Sequence, residues 1–85
     1  MKLKDSFLIH TIGHDIYLLD TEGTTFTKLN ETAAEIIGFL EKGTSESQII
    51  SEMTNKYDVS EEIITHDLEL LLATLRKIGA IDDSK

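Results

Sequence analysis

The 85 residues are 40% hydrophobic and 28% charged, too apolar for intrinsic disorder and long enough for one core that buries roughly 60–65% of the chain's surface. Eight basic against sixteen acidic residues give a net charge of −8, which repels nucleic-acid phosphates and anionic membrane surfaces alike. With no cysteine, disulfides, thiolate nucleophiles and cysteine-based metal centres are excluded. The opening Met1-Lys2-Leu3-Lys4-Asp5 lacks the apolar run of a signal peptide, and no stretch is long and apolar enough to span a bilayer. The expectation is one cytoplasmic domain over residues 1–85, with residues 1–5 and 82–85 frayed.

Ser6 to Ile12 mixes β-branched and aromatic residues, Gly13-His14-Asp15 supplies turn chemistry, and Ile16-Tyr17-Leu18-Leu19 resumes the strand pattern. Asp20-Thr21-Glu22-Gly23 reads as a second turn and Thr24 to Lys28 as a short third strand. Three antiparallel strands in a meander follow.

At Leu29-Asn30 the pattern changes period. Asn30 is suited to cap a helix by accepting a hydrogen bond from the N–H of Thr32 or Ala33, and Ala33, Ile36, Ile37 and Leu40 then recur at helical spacing. This first helix runs from about Glu31 to Lys42, with Gly43 placed to end it. Gly38 inside it costs about 1 kcal/mol relative to alanine and implies close packing at that point. Ser45-Glu46-Ser47-Gln48 fits a capping box and opens a second helix, ending near Lys56, with Ile49, Ile50, Met53 and Tyr57 on one side.

Ser60 caps the third and longest helix, with Glu61 and Glu62 in its first turn and Arg76 and Lys77 near its end, both favourable to the helix dipole. At 100° per residue, Ile64, Leu68, Leu71, Leu72, Leu75 and Ile78 form the core stripe. Ile63, Asp67, Leu70 and Thr74 form a second stripe beside it, whose two apolar residues are either covered by a neighbouring element or line a groove. Gly79 stops the helix and Ala80-Ile81 return beside the sheet. The class is α+β.

Catalytic groups are sparse. His10 and His14 lie in a strand and a turn, where a spacing of four does not converge two metal ligands. His66 and Asp67 are helix neighbours pointing about 100° apart and form no catalytic pair. Glu61 and Glu62, like Asp82 and Asp83, are adjacent solvated acids, and the serines lack a glycine elbow or a nearby base. No metal site, cofactor or enzymatic activity is expected. The available device is the edge of the small sheet, to which an extended peptide can add as a further strand.

The order of three strands, then Leu29-Asn30-Glu31-Thr32-Ala33-Ala34-Glu35-Ile36, Gly43-Thr44, Tyr57-Asp58-Val59 and Asp67, Leu75 and Gly79, resembles the PqqD family from about Phe7 to Ile81. The resemblance implies a RiPP recognition element, a winged-helix-like domain that binds the leader segment of a ribosomally made precursor peptide. It then presents the precursor to a modifying enzyme such as a radical SAM enzyme or a leader peptidase. It also implies that the leader adds beside the third strand, along Thr24, Thr25, Phe26, Thr27 and Lys28, with Ile63, Asp67, Leu70 and Thr74 as the opposite wall. Lys28 and Lys77 are then expected to meet acidic leader residues, and Asp67 a basic one.

Two other readings compete. A homodimerisation or structural module would use the same strand edge. A winged-helix nucleic-acid binder would need a basic recognition helix, whereas Glu61, Glu62, Asp67 and Glu69 dominate the longest one.

Overall fold

Strands β1 (Phe7–Ile12), β2 (Asp15–Asp20) and β3 (Phe26–Leu29) form an antiparallel sheet in the order β1-β2-β3. The coordinates are a computed structural model that describes residues 3–23 and 25–81. Gly13, at φ +62°, occupies the first central position of the two-residue turn between Ile12 and Asp15, where a hairpin turn favours glycine. In the second turn the Asp20 carboxylate accepts from the Glu22 N–H at 3.0 Å. A Cβ on Gly23 would lie 2.7 Å from that carboxylate, so a larger residue there would displace the Asp20 side chain from its hydrogen bond to Glu22.

Pairing Leu18 with Ile9 and Thr27, and Ile16 with Leu29, assigns the two faces of the sheet. Phe7, Leu18 and Leu29 are buried on the inner face, as strand alternation requires. Leu8, Ile12, Tyr17, Phe26 and Lys28 take the outer face, where the Tyr17 and Phe26 rings stack with centroids 4.4 Å apart.

Three helices follow: α1 (Glu31–Glu41), α2 (Glu46–Tyr57) and α3 (Glu61–Lys77). Each begins at the expected cap, with Ala33 N–H donating to Asn30 Oδ1 at 2.7 Å, Gln48 N–H to Ser45 Oγ at 3.3 Å and Ile63 N–H to Ser60 Oγ at 3.2 Å. Asp58 closes α2 in the left-handed region at φ 52°, which a short polar side chain tolerates better than most. Gly43 (φ +77°) and Gly79 (φ +81°) follow the ends of α1 and α3.

Ile36, Ile37 and Leu40 of α1, Ile49 and Met53 of α2, and Ile64, Leu68, Leu72 and Leu75 of α3 meet the inner sheet residues in one core cluster. Leu71 and Ile78 of the expected stripe are only partly buried at its margin. The three antiparallel strands and three helices have the expected order, for which winged-helix-like is a loose description.

Three details differ from expectation. Leu3 is not frayed: it is 4% exposed and bridges antiparallel to Ile81, and Lys4 N–H donates to Ala80 O at 2.8 Å. The turn at Gly79 returns the chain to its own start, so an apolar residue in a charged opening joins the core; residues 1, 2 and 82–85 lie outside the described residues. The third strand is Phe26–Leu29 rather than Thr24 to Lys28, because the turn at Asp20 delays full pairing; Thr24 also lies outside the described residues. A Cβ at Gly38 would meet nothing within 4 Å, so that glycine serves no close packing.

Helices α1 and α2 are clipped together at the surface. Glu35 accepts from Lys56 Nζ at 2.7 Å and from the Tyr57 hydroxyl at 2.5 Å. The Lys56 hydrogen bond, followed by that from Tyr57, holds the Glu35 carboxyl below its ordinary pKa. The bond to Glu35 raises both Lys56 and Tyr57.

Two predictions follow from these contacts. Gly38→Ala should stabilise the fold by about 0.5–1 kcal/mol in chemical denaturation, since helix propensity improves with no clash. Replacing Glu35 by Gln should lower Tm most between about pH 5 and pH 9. The difference from the parent should shrink as pH falls below the ordinary carboxylate range, where Glu35, held low by its partners, at last protonates, and as pH rises beyond the ordinary tyrosine and lysine range, where Tyr57 and Lys56, both raised, lose their protons.

Candidate functional site

β3 is an edge strand, paired with β2 on one side only. Asp20 N–H donates to Thr25 O at 3.2 Å, so the Thr25 backbone is turned toward β2. By the alternation of an antiparallel ladder, the N–H and C=O groups of Phe26 and Lys28 then point to the open edge. Two donors and two acceptors are thus presented in a row, the requirement for adding a strand.

Where β3 ends, a cleft of about 320 Å³ begins. Asn30, Thr32, Ala33 and Ile36 from the start of α1 form one wall, and Asp67, Leu70, Leu71 and Thr74 of α3 form the other. Its existence follows from the two-stripe pattern of α3. The core stripe packs against α1 and α2, and the adjoining stripe is left uncovered, with Ile63 54% and Leu70 56% exposed. Ile63 and Leu70 are thus not covered by a neighbouring element, and Asp67, Leu70 and Thr74 of that stripe line the cleft.

The site residues expected from sequence divide into groups. Asp67, Leu70 and Thr74 come together in the cleft, while Ile63 extends the same stripe one turn earlier along α3. Lys77 is exposed at the end of α3, outside the lining of the cleft. Thr25 and Thr27 are half-buried. The Phe26 and Lys28 side chains turn to the outer face of the sheet: Phe26 is 57% exposed against Tyr17, and Lys28 Nζ lies 3.3 Å from Asp15 Oδ1.

The wall opposite α3 thus comes from the first turns of α1, and Asn30, Thr32, Ala33, Ile36 and Leu71 are the members that sequence reasoning missed. Asn30, Ala33 and Ile36 were visible as cap and apolar face. Their second role depends on how far α1 and α3 splay apart, which no local pattern carries.

The cleft lining is partly apolar, at Ala33, Ile36, Leu70 and Leu71, and partly polar, at Asn30, Thr32, Asp67 and Thr74. The Thr74 hydroxyl donates to Leu70 O at 3.2 Å, leaving its lone pairs available as acceptors. Among the described residues no ion pair or side-chain hydrogen bond engages the Asp67 carboxylate. His10, His14 and His66 are all exposed, and no group of three or more histidines and carboxylates able to hold a metal ion occurs among the described residues. Nor is any helix among them long and apolar enough to cross a membrane.

The uncovered stripe should be separable from stability. Leu70→Gln is expected to change unfolding free energy by less than about 0.5 kcal/mol, whereas Leu72→Ala, two residues on and on the buried side, should cost about 2–5 kcal/mol. Paired urea titrations measure both.

A family model described as coenzyme PQQ synthesis protein D (PqqD) matches residues 15–81. No curated protein matches the sequence. Among solved structures, TbiB1 in complex with the TbiA(beta) leader peptide superposes with a TM-score of 0.85 at 22% identity, covering 100% of this chain and 99% of that one. Lasso peptide synthetase B1 complexed with the leader peptide superposes with a TM-score of 0.79 at 26% identity, covering 92% of each chain.

Proposed function

Because this chain belongs to the PqqD family, on a match spanning residues 15–81, we propose that it is a RiPP recognition element, an adaptor that binds the leader segment of a ribosomally synthesised precursor peptide. The observation that carries the reading is the open β3 edge lying beside an uncovered apolar cleft. Two proteins of the same fold, whose chains match nearly end to end, were both solved with leader peptides bound.

The mechanism follows from strand geometry. The leader pairs with the outward N–H and C=O groups of Phe26 and Lys28 and becomes a fourth strand. Its side chains alternate between two faces. One set enters the cleft between α1 and α3, against Asp67, Leu70 and Thr74; the other lies on the outer face beside Phe26 and Lys28. Backbone pairing supplies affinity that is insensitive to sequence, and the cleft supplies selection. The adaptor has no catalytic part of its own and delivers the precursor to a separate modifying enzyme, such as a radical SAM enzyme or a leader peptidase.

The test uses a synthetic leader from a short reading frame encoded beside this protein, titrated into isotopically labelled chain. Backbone amide shifts should map to residues 25–29, to the first turn of α1 and to residues 63–74. Lys28→Pro removes an edge N–H without disturbing pairing to β2, a position where an edge strand tolerates proline. It should weaken binding about tenfold or more, while Lys28→Ala, which keeps that N–H, should change it less than about threefold. Equal binding by the two variants would exclude strand addition at β3. Absence of shifts with any neighbouring peptide would favour a homodimerisation module, which light scattering would then report as a dimer.

A further inference from the structure

The cleft has a chemical asymmetry that goes beyond accepting a strand. Its apolar lining is Ala33, Ile36, Leu70 and Leu71, and its polar lining includes Asp67 with the Thr32 and Thr74 hydroxyls. The Thr74 donor is already spent on Leu70 O, and the Asn30 carbonyl oxygen on the Ala33 N–H. Asp67 is an acceptor only, and no side-chain donor among the described residues engages it. Lys28, which lies along the proposed binding path, is paired with Asp15 on the outer face of the sheet.

Resting on the leader-binding reading, we infer that this cleft selects a lysine or arginine of the leader, with Asp67 as the residue that determines the specificity. A long aliphatic stem covers the apolar lining while its charged end reaches the Asp67 carboxylate, the way such side chains usually lie across apolar surface. The ammonium or guanidinium supplies the donors that Asp67 lacks, in a charge-assisted hydrogen bond. A wholly apolar side chain would cover the apolar lining but leave the carboxylate without a partner, and an acidic one would meet Asp67 with like charge. The net charge of −8 acts in the same direction, drawing cationic segments toward the chain before contact.

Random dodecapeptides displayed on phage and panned against the full chain supply the probe. Selected peptides that shift the amides of residues 25–29 should share a Lys or Arg at one fixed position. Changing it to Gln should weaken binding about three- to tenfold, the scale of one charge-assisted hydrogen bond. Asp67→Asn should produce the same loss, and the two changes together no further loss, which places both on one interaction. Asp67→Lys should shift the selected residue at that position to Asp or Glu.

If peptides that shift the β3 amides instead carry an aromatic or aliphatic residue at that position and bind Asp67→Asn as well as the parent, the cation inference fails and strand addition survives. If the selected peptides bind without shifting those amides, or none is selected, the leader-binding reading fails with it.

Discussion

The hydrogen bond from the Ala33 N–H to the Asn30 side chain, 2.7 Å long, sets where extended backbone stops and helix begins, and the rest of the molecule depends on that point. One residue earlier, Leu29 closes β3 with its side chain in the core; one turn later, Ala33 and Ile36 line the cleft. A cap is worth only about 1 kcal/mol in stability. Its larger consequence is positional: a handover one residue away would rotate the apolar face of α1 by about 100°, turning Ile36, Ile37 and Leu40 away from the core. Asn30 thus terminates the strand, starts the helix and borders the cleft.

An open strand edge is a hazard as well as a device, since any other edge can pair with it. Here the exposure is limited. β3 has only four residues, Phe26–Leu29, and the Lys28 side chain beside the edge is charged. The high net negative charge adds general repulsion between copies. These features leave the edge open to an extended peptide while disfavouring unplanned pairing between folded chains.

The buried stripe of α3 and the stripe that lines the cleft are separate surfaces of the helix. Ile64, Leu68, Leu72 and Leu75 are buried and hold the helix against α1 and α2. Asp67, Leu70 and Thr74, three and four residues apart, stand on the neighbouring stripe and contribute little to folding. Because the two stripes are adjacent, the scaffold that places the cleft is rigid even though the cleft itself is open. The Glu35 clip to Lys56 and Tyr57 acts in the same sense, holding α1, which forms one wall, to α2.

Local chemistry was sufficient to determine the order of three strands and three helices, the caps at Asn30, Ser45 and Ser60, the glycine turns and the core stripe of α3. Each depends on neighbours within about one turn or on a fixed periodicity, and both are written along the chain. The residues Asp67, Leu70 and Thr74 were legible for the same reason, as a second stripe at helical spacing. Only the tertiary structure decided that this stripe stays uncovered, that the first turns of α1 rather than a β3 side-chain row form the facing wall, that Phe26 and Lys28 turn to the outer face, and that Leu3 joins Ile81. Those outcomes depend on packing angles and sheet register between segments far apart in sequence. A one-residue change of register or a modest change of crossing angle would alter them while leaving every local pattern intact.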